Sequence, residues 1–275
     1  MNKFLMNAML VSGLMTSAGA QATPITIDGN LADWGLKREG KVTDWIPNST
    51  IVPNTDQYTE HDLTGDRNVR LNLGYGGQAY DAEALYVSLG SNFLYIALVT
   101  GLSPNTPDNH AANSYGPGDF AIDFLDYGPA NSFEFGIQTT GTDKGKVYRV
   151  SKWDYGLWDV NGNLNRNNPD PKHPTSMKSV ANEVGTGVLI YTSTPFKNMG
   201  VYTNDDHYVI EAAIPLSSFN GYSGKFDVHW TMNCANDWIS ADPALTVPEP
   251  ATLALLPLGL LGLIALRRRK AASAA

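Results

Sequence analysis

Through the middle of the chain the apolar residues fall in short runs or alternations, separated by Gly, Pro, Asn and Asp. Helix-period spacing is scarce there. This is the pattern of a β-sandwich or barrel. The runs predict strands at Ile25–Ile27, Ala84–Ser88, Phe93–Thr100, Phe120–Phe124, Ser132–Thr139, Lys146–Ser151, Gly187–Thr192, Tyr208–Ile214 and Phe226–Asn233. Phe93 to Val99 is nearly continuous in apolar residues, which predicts a central strand covered on both faces. Phe133-Glu134-Phe135-Gly136-Ile137 alternates, so one face is expected on the core and the other toward water or ligand. Gly141 to Gly145 reads as a hairpin turn. Thr100 to Gly118 and Trp153 to Ala181 read as long, functional loops. No internal repeat is evident. The expected fold is all-β, a jelly-roll-like sandwich of two antiparallel sheets over residues 23–246.

Both ends of the chain break this pattern. Lys3 precedes an apolar stretch from Phe4 to Met15, followed by Ala18-Gly19-Ala20 and Ala20-Gln21-Ala22. A positive start, a short apolar core and small-x-small sites make a secretory signal peptide, with cleavage expected after Ala22. At the other end, Val247-Pro248-Glu249-Pro250 leads into an apolar run from Ala251 to Leu266. Arg267, Arg268, Arg269 and Lys270 follow, then a small-residue tail at 271–275. The prolines keep their segment extended. The apolar run suits a bilayer, and the cations hold its end on the cytoplasmic side. The run is shorter than the roughly 20 residues of a permanent span, and Pro257 and Gly259 interrupt it. Residues 247–270 resemble the PEP-CTERM sorting signal of exopolysaccharide-producing Gram-negative bacteria. That resemblance implies exosortase as the processing partner, a transient stage in the inner membrane, and delivery to the outer surface or matrix.

Removing the ends changes the charge. Lys3 and the four tail cations leave 14 of the 19 Lys and Arg; without Glu249, 26 of the 27 Asp and Glu remain, a net near −12. An acidic body excludes nucleic acid as a partner, because phosphate binding needs a basic face. It suits solubility outside the cell, or Ca²⁺. Cys234 is the only cysteine, so no intrachain disulfide forms. With no cationic neighbour in sequence it reads as a small buried residue.

The body opens Ile25-Thr26-Ile27-Asp28-Gly29-Asn30-Leu31-Ala32-Asp33-Trp34. Asp28-Gly29 suits a tight turn, and Trp34 is expected to seal one end of the core with its N–H bonded. Further along come Ala84-Leu85-Tyr86-Val87 with Asn92-Phe93-Leu94-Tyr95-Ile96, then Gly118 to Asp123, then Tyr208 to Pro215. In this order the pieces resemble the family 9 carbohydrate-binding modules and the related DOMON domains. The resemblance implies a sandwich of two antiparallel sheets and a sugar, haem or other ligand.

Trp153, Asp154, Tyr155 and Trp158 form the candidate sugar site. Aromatic rings cover the C–H faces of sugars, and carboxylates and amides take the hydroxyls. The same rings would equally pack a loop onto the sheet. Asp159, Asn161 and Asn163 place oxygens at every second position, as a Ca²⁺ loop does, although the glycine spacing departs from the EF-hand. Asp119 and Asp123 project to one face of an extended strand, and Asp81 and Glu83 join them as a second acidic group. An Asn-rich solvated turn is the competing reading. The haem-binding relatives use axial Met, His or Lys, for which Met232, His229 and Met177 are the residues here; the five histidines show no metal-ligand spacing. No Gly-x-Ser-x-Gly elbow, Walker loop or Gly-x-Gly-x-x-Gly is present. The expectation is a non-enzymatic protein, exported and sorted, that binds extracellular polysaccharide. The alternatives are a structural biofilm protein acting through protein contacts and a haem redox module.

Overall fold

A computed structural model describes residues 25–48, 55–60, 69–129, 131–242 and 246–247. The signal peptide with its cleavage point at Ala22, and Pro248, Glu249, Pro250, Arg267, Arg268 and Arg269, lie outside the described residues. The strands are β1 (Thr55–Glu60), β2 (Ala82–Leu89), β3 (Phe93–Thr100), β4 (Phe120–Phe124), β5 (Phe135–Ile137) and β6 (Lys146–Tyr155), then β7 (Pro174–Thr186), β8 (Val188–Tyr191), β9 (Tyr208–Pro215), β10 (Gly224–Thr231), β11 (Trp238–Ala241) and β12 (Thr246–Val247). They form two antiparallel sheets, as the periodicity predicts. One runs β1-β2-β3-β9-β8; the other runs β11-β10-β4-β5-β6-β7, with β12 also paired to β10. Among the described residues no helix is long and apolar enough to cross a membrane.

The main core lies between the sheets. Leu85, Val87, Leu94, Ile96, Leu98, Ile210 and Ile214 of the first sheet meet Phe120, Ile122, Phe124, Phe135, Phe226, Val228 and Trp230 of the second. Alternate residues of β2, β3 and β9 turn the other way, and Ala84, Tyr86, Ala97, Val99 and Val209 build a second core on the outer face of the first sheet. This is why β3 carries a nearly unbroken apolar run: it is covered on both sides.

The cover on that outer face is the segment from Ile25 to Asn48. Leu31, Trp34, Leu36 and Trp45 pack into the second core. Its anchor is Glu211 on β9, which is fully buried. One carboxylate oxygen accepts the Trp34 indole N–H at 2.7 Å, and the other accepts the backbone N–H of Asp28 at 3.0 Å and of Gly29 at 2.8 Å. Asp33 accepts Thr26 N–H at 2.6 Å. These bonds correct one expectation. Ile25–Ile27 is not a strand: the Thr26 N–H goes to the Asp33 carboxylate and the Asp28 and Gly29 N–H groups that follow go to Glu211, instead of to a ladder. The Asp28-Gly29 turn forms, with Gly29 at φ 78°, and the Trp34 N–H is bonded as expected, but its ring packs into the second core on the outer face and not at one end of the main core.

The second sheet covers its own outer face. The β6–β7 ribbon is irregular at five places in its register. Such bulges bend and twist a ribbon, and this one folds back across the sheet. Thr175 C=O accepts Asp119 N–H at 2.8 Å, and the Asp119 carboxylate accepts Met177 N–H at 3.1 Å and Thr139 N–H at 3.2 Å. Trp153 and Met177 then lie over Gly136; a Cβ there would come within 2.4 Å of the Met177 sulfur and 2.9 Å of the Trp153 ring. Segment 153–181 is therefore not a continuous loop, since β7 begins at Pro174. The Phe133–Ile137 alternation also fails at its first residue. Phe133 has φ of 46°, which turns its ring to the outer face beside Trp153, while Phe135 and Ile137 enter the main core.

Candidate functional site

Strand β10 runs the length of the second sheet, and three loops meet beyond its Thr231 end. They carry residues 70–77, 156–170 and 233–238. Asn236 ties them together. Its backbone C=O accepts the N–H of Leu73 and Gly74, its side-chain N–H₂ donates to Tyr75 C=O, and its side-chain oxygen accepts the Trp158 indole N–H at 2.9 Å. Trp158 lies flat against Gly74, where a Cβ would come within 2.3 Å of the ring. Only glycine allows that approach. The adjoining Tyr75 is 54% exposed. The Arg70 guanidinium stands 5.9 Å from the Tyr75 ring centroid and donates to Gly162 C=O at 3.2 Å. It thus joins the tyrosine to the loop that begins at Asp159.

That loop is a closed turn. The Asp159 carboxylate accepts the backbone N–H of Asn161 at 2.9 Å and of Asn163 at 3.0 Å. These donors, Asn163 first and then Asn161, hold its pKa below the usual carboxylate range. Trp158 and Leu164 form a bridge, and Val160 and Leu164 stand 67% and 60% exposed. The loop end therefore combines an open phenol ring, a half-buried indole, exposed aliphatics, a guanidinium and asparagine amides. That mixture suits a ligand with apolar C–H faces and a rim of hydroxyls.

The sequence candidates separate in the fold. Trp153 is no open platform: it is 4% exposed and its N–H donates to Phe133 C=O at 2.9 Å. Tyr155 is half-buried against the same small cluster. Asp154 accepts from Lys178 on β7. Of the four, Trp158 alone reaches the loop end. Asp119 and Asp123 share the outer face of the second sheet, but both are engaged. Asp123 accepts from Asn131 N–H at 2.7 Å and from Ser132 and Phe133 at 3.3 Å. Burial raises the Asp119 pKa to about 6, against the hydrogen bonds from Met177 and Thr139. Asp159, Asn161 and Asn163 sit apart from this pair, in the turn at the loop end. Among the described residues no three His, Cys, Asp or Glu side chains converge on a metal position. Of the residues named for haem, Met232 lies in the main core, while Met177 and His229 lie on the outer face of the second sheet. Cys234 is buried, and burial raises its thiol pKa to about 12.

Tyr75 and Arg70 stand outside the sequence candidates, and the sequence marks Asn236 only as closing a turn with Asp237 in a polar cluster after the last long strand. The one signal for Tyr75 is its setting in Gly74-Tyr75-Gly76-Gly77, where a large ring stands among residues with no side chain.

Residues 246–270 match the PEP-CTERM protein-sorting motif. The protein thus carries the mark of export, of processing by exosortase, and of transient membrane anchoring in Gram-negative bacteria. No curated protein matches the chain. No solved structure matches it either. The family match stops at the sorting motif, and the likeness of the body to family 9 modules and DOMON domains has no family match behind it.

Proposed function

We propose that the exported body is a non-enzymatic polysaccharide-binding module, working at the outer cell surface or in the matrix. It binds through the loop end built on Asn236. The observation that carries this reading is the joint presentation of Tyr75 and Trp158, fixed to one amide and rimmed by Arg70 and the 159–165 turn. A sugar ring stacked on Tyr75 meets the Arg70 guanidinium and the Asn161 and Asn163 amides at its edge. The sorting motif supports the setting, because it belongs to bacteria that surround themselves with exopolysaccharide. Ca²⁺, if it takes part, acts at the Asp159 turn, whose carboxylate stays ionised in neutral solution.

The experiment is a glycan-array screen of the exported protein, with Ca²⁺ and with chelator. Saturable binding to one glycan class is expected. A blank array from well-folded protein would move the function to protein contacts in the matrix.

A further inference from the structure

The loop end has an opposite. At the Gly224 end of β10 lie Leu125, Tyr127, Arg149 and Tyr222. Tyr127 and Tyr222 rings stand 4.5 Å apart, and the Arg149 guanidinium lies 4.9 Å from the Tyr222 centroid. Beneath them Phe124 and Phe135 close the main core, 5.4 and 4.8 Å from Tyr222. Leu125 and Tyr127 are 37% and 45% exposed, and Arg149, Lys225 and Asp126 are exposed beside them.

The chain leaves the domain at this end. In the antiparallel pairing of β12, Thr246 faces Lys225 and Val247 faces Gly224, so the backbone is heading past Tyr222 as it exits. The apolar run begins at Ala251. Four residues reach at most about 14 Å when fully extended, and the headgroup layer of one leaflet takes up about 6 Å of that. While the sorting segment is in the membrane, this end of the sandwich has nowhere to be but against the bilayer.

We infer that the Leu125–Tyr127–Arg149–Tyr222 end docks on the lipid headgroups of the membrane that holds the C-terminal segment. Its chemistry fits. Tyrosine is favoured at the bilayer interface, where its ring meets acyl chains and its hydroxyl stays wet. Arg149 and Lys225 offer two exposed cations to headgroup phosphates, beside the carboxylates of exposed Asp126 and of half-buried Glu134, which accepts from Ser132 and from Phe124 N–H. The eight residues of β10 keep the two ends about 23 Å apart, so the Tyr75–Trp158 loops point away from the membrane. The inference rests on the anchored stage implied by the sorting motif and is independent of polysaccharide binding.

The test uses the precursor exported by a Gram-negative host without exosortase and reconstituted in phosphatidylethanolamine–phosphatidylglycerol vesicles with nitroxide-labelled headgroups. A fluorophore is placed on Pro129→Cys beside Tyr127, or on Val160→Cys at the loop end; both residues are exposed. Loss of fluorescence at 129 and none at 160 is expected, with the loss reduced by Leu125→Ser combined with Tyr127→Ser. Precursor that floats with vesicles but shows no quenching at 129, or equal quenching at both, overturns the docking. Precursor that fails to float overturns the anchored stage, and the docking with it.

Discussion

The two sheets hide their outer faces by different means. The first borrows a cover from far away in sequence: residues 25–48 lie across β2, β3 and β9, held by one buried carboxylate on β9. The second folds its own β6–β7 ribbon over itself, held by Asp119 and by Trp153 and Met177 closing on Gly136. Both covers bury imidazoles: under the first, His207 meets the edge of Trp45 at 5.6 Å and bonds Glu83 at 2.8 Å; under the second, His229 lies beneath Phe133 and His173, and His173 stacks on Trp238 at 4.5 Å. The proposed recognition surface is at one end of the sandwich, opposite the end from which the sorting segment leaves.

The first cover should be the easier to break. Trp34→Ala empties a fully buried site and removes a donor from buried Glu211, for an expected loss of about 3–5 kcal/mol. Urea unfolding with a parallel protease digest checks it, and cuts should appear first within residues 25–48. A loss below about 1 kcal/mol would mean the cover is marginal to the fold. Gly136→Ala tests the second cover by pushing Met177 and Trp153 outward, at an expected cost of about 1–3 kcal/mol. Its new cuts should fall in the β6–β7 ribbon, with 25–48 protected.

pH separates the covers further. Burial moves Glu211 from an ordinary 4.5 up to about 7, against the bonds from Trp34 and Gly29. Folding therefore favours its protonated form. That contribution is complete below about pH 4.5 and is lost as pH rises through about 7. Burial moves His173 the other way, from 6.5 to about 4, and holds His229 well below 6.5. Their contribution is complete above about pH 6.5 and is lost as pH falls toward about 4. Urea midpoints across this range should show Glu211→Gln losing less stability than the parent as pH rises, and His229→Phe losing less as pH falls. Asp119, raised to about 6, remains in all three proteins and drops out of the comparison. Parallel curves for all three would contradict the assignment.

Two pieces of the first cover were legible in sequence, because their chemistry is local. Asp28-Gly29 announces a turn, and the Asp33-Trp34 pair announces a carboxylate and a large ring at the edge of a core. What the sequence could not show was their partner, since Glu211 is 177 residues from Trp34. The second cover was hidden. β7 has long exposed stretches and repeated register shifts, so no period-2 signal survives and Pro174–Ala181 reads as loop. Phe133 misled for a related reason: positive φ at a bulky residue is rare, and it reverses the face that alternation assigns. Trp153, Tyr155 and Trp158 look like one aromatic group in sequence. The curl of the ribbon and the bend at Leu157 send Trp153 under cover and Trp158 to the loop end, where Tyr75 arrives from another part of the chain.

Ligand contacts give the smallest effects, because they act at an exposed surface. Tyr75→Ala should weaken polysaccharide binding about tenfold, near 1.4 kcal/mol, and leave the urea midpoint unchanged. Affinity electrophoresis of the exported protein in gels containing the glycan that it retains tests the account most directly. Retardation of the parent, most of it lost in Tyr75→Ala with the fold intact, is the result expected. Equal retardation of parent and variant would place the binding surface elsewhere on the sandwich.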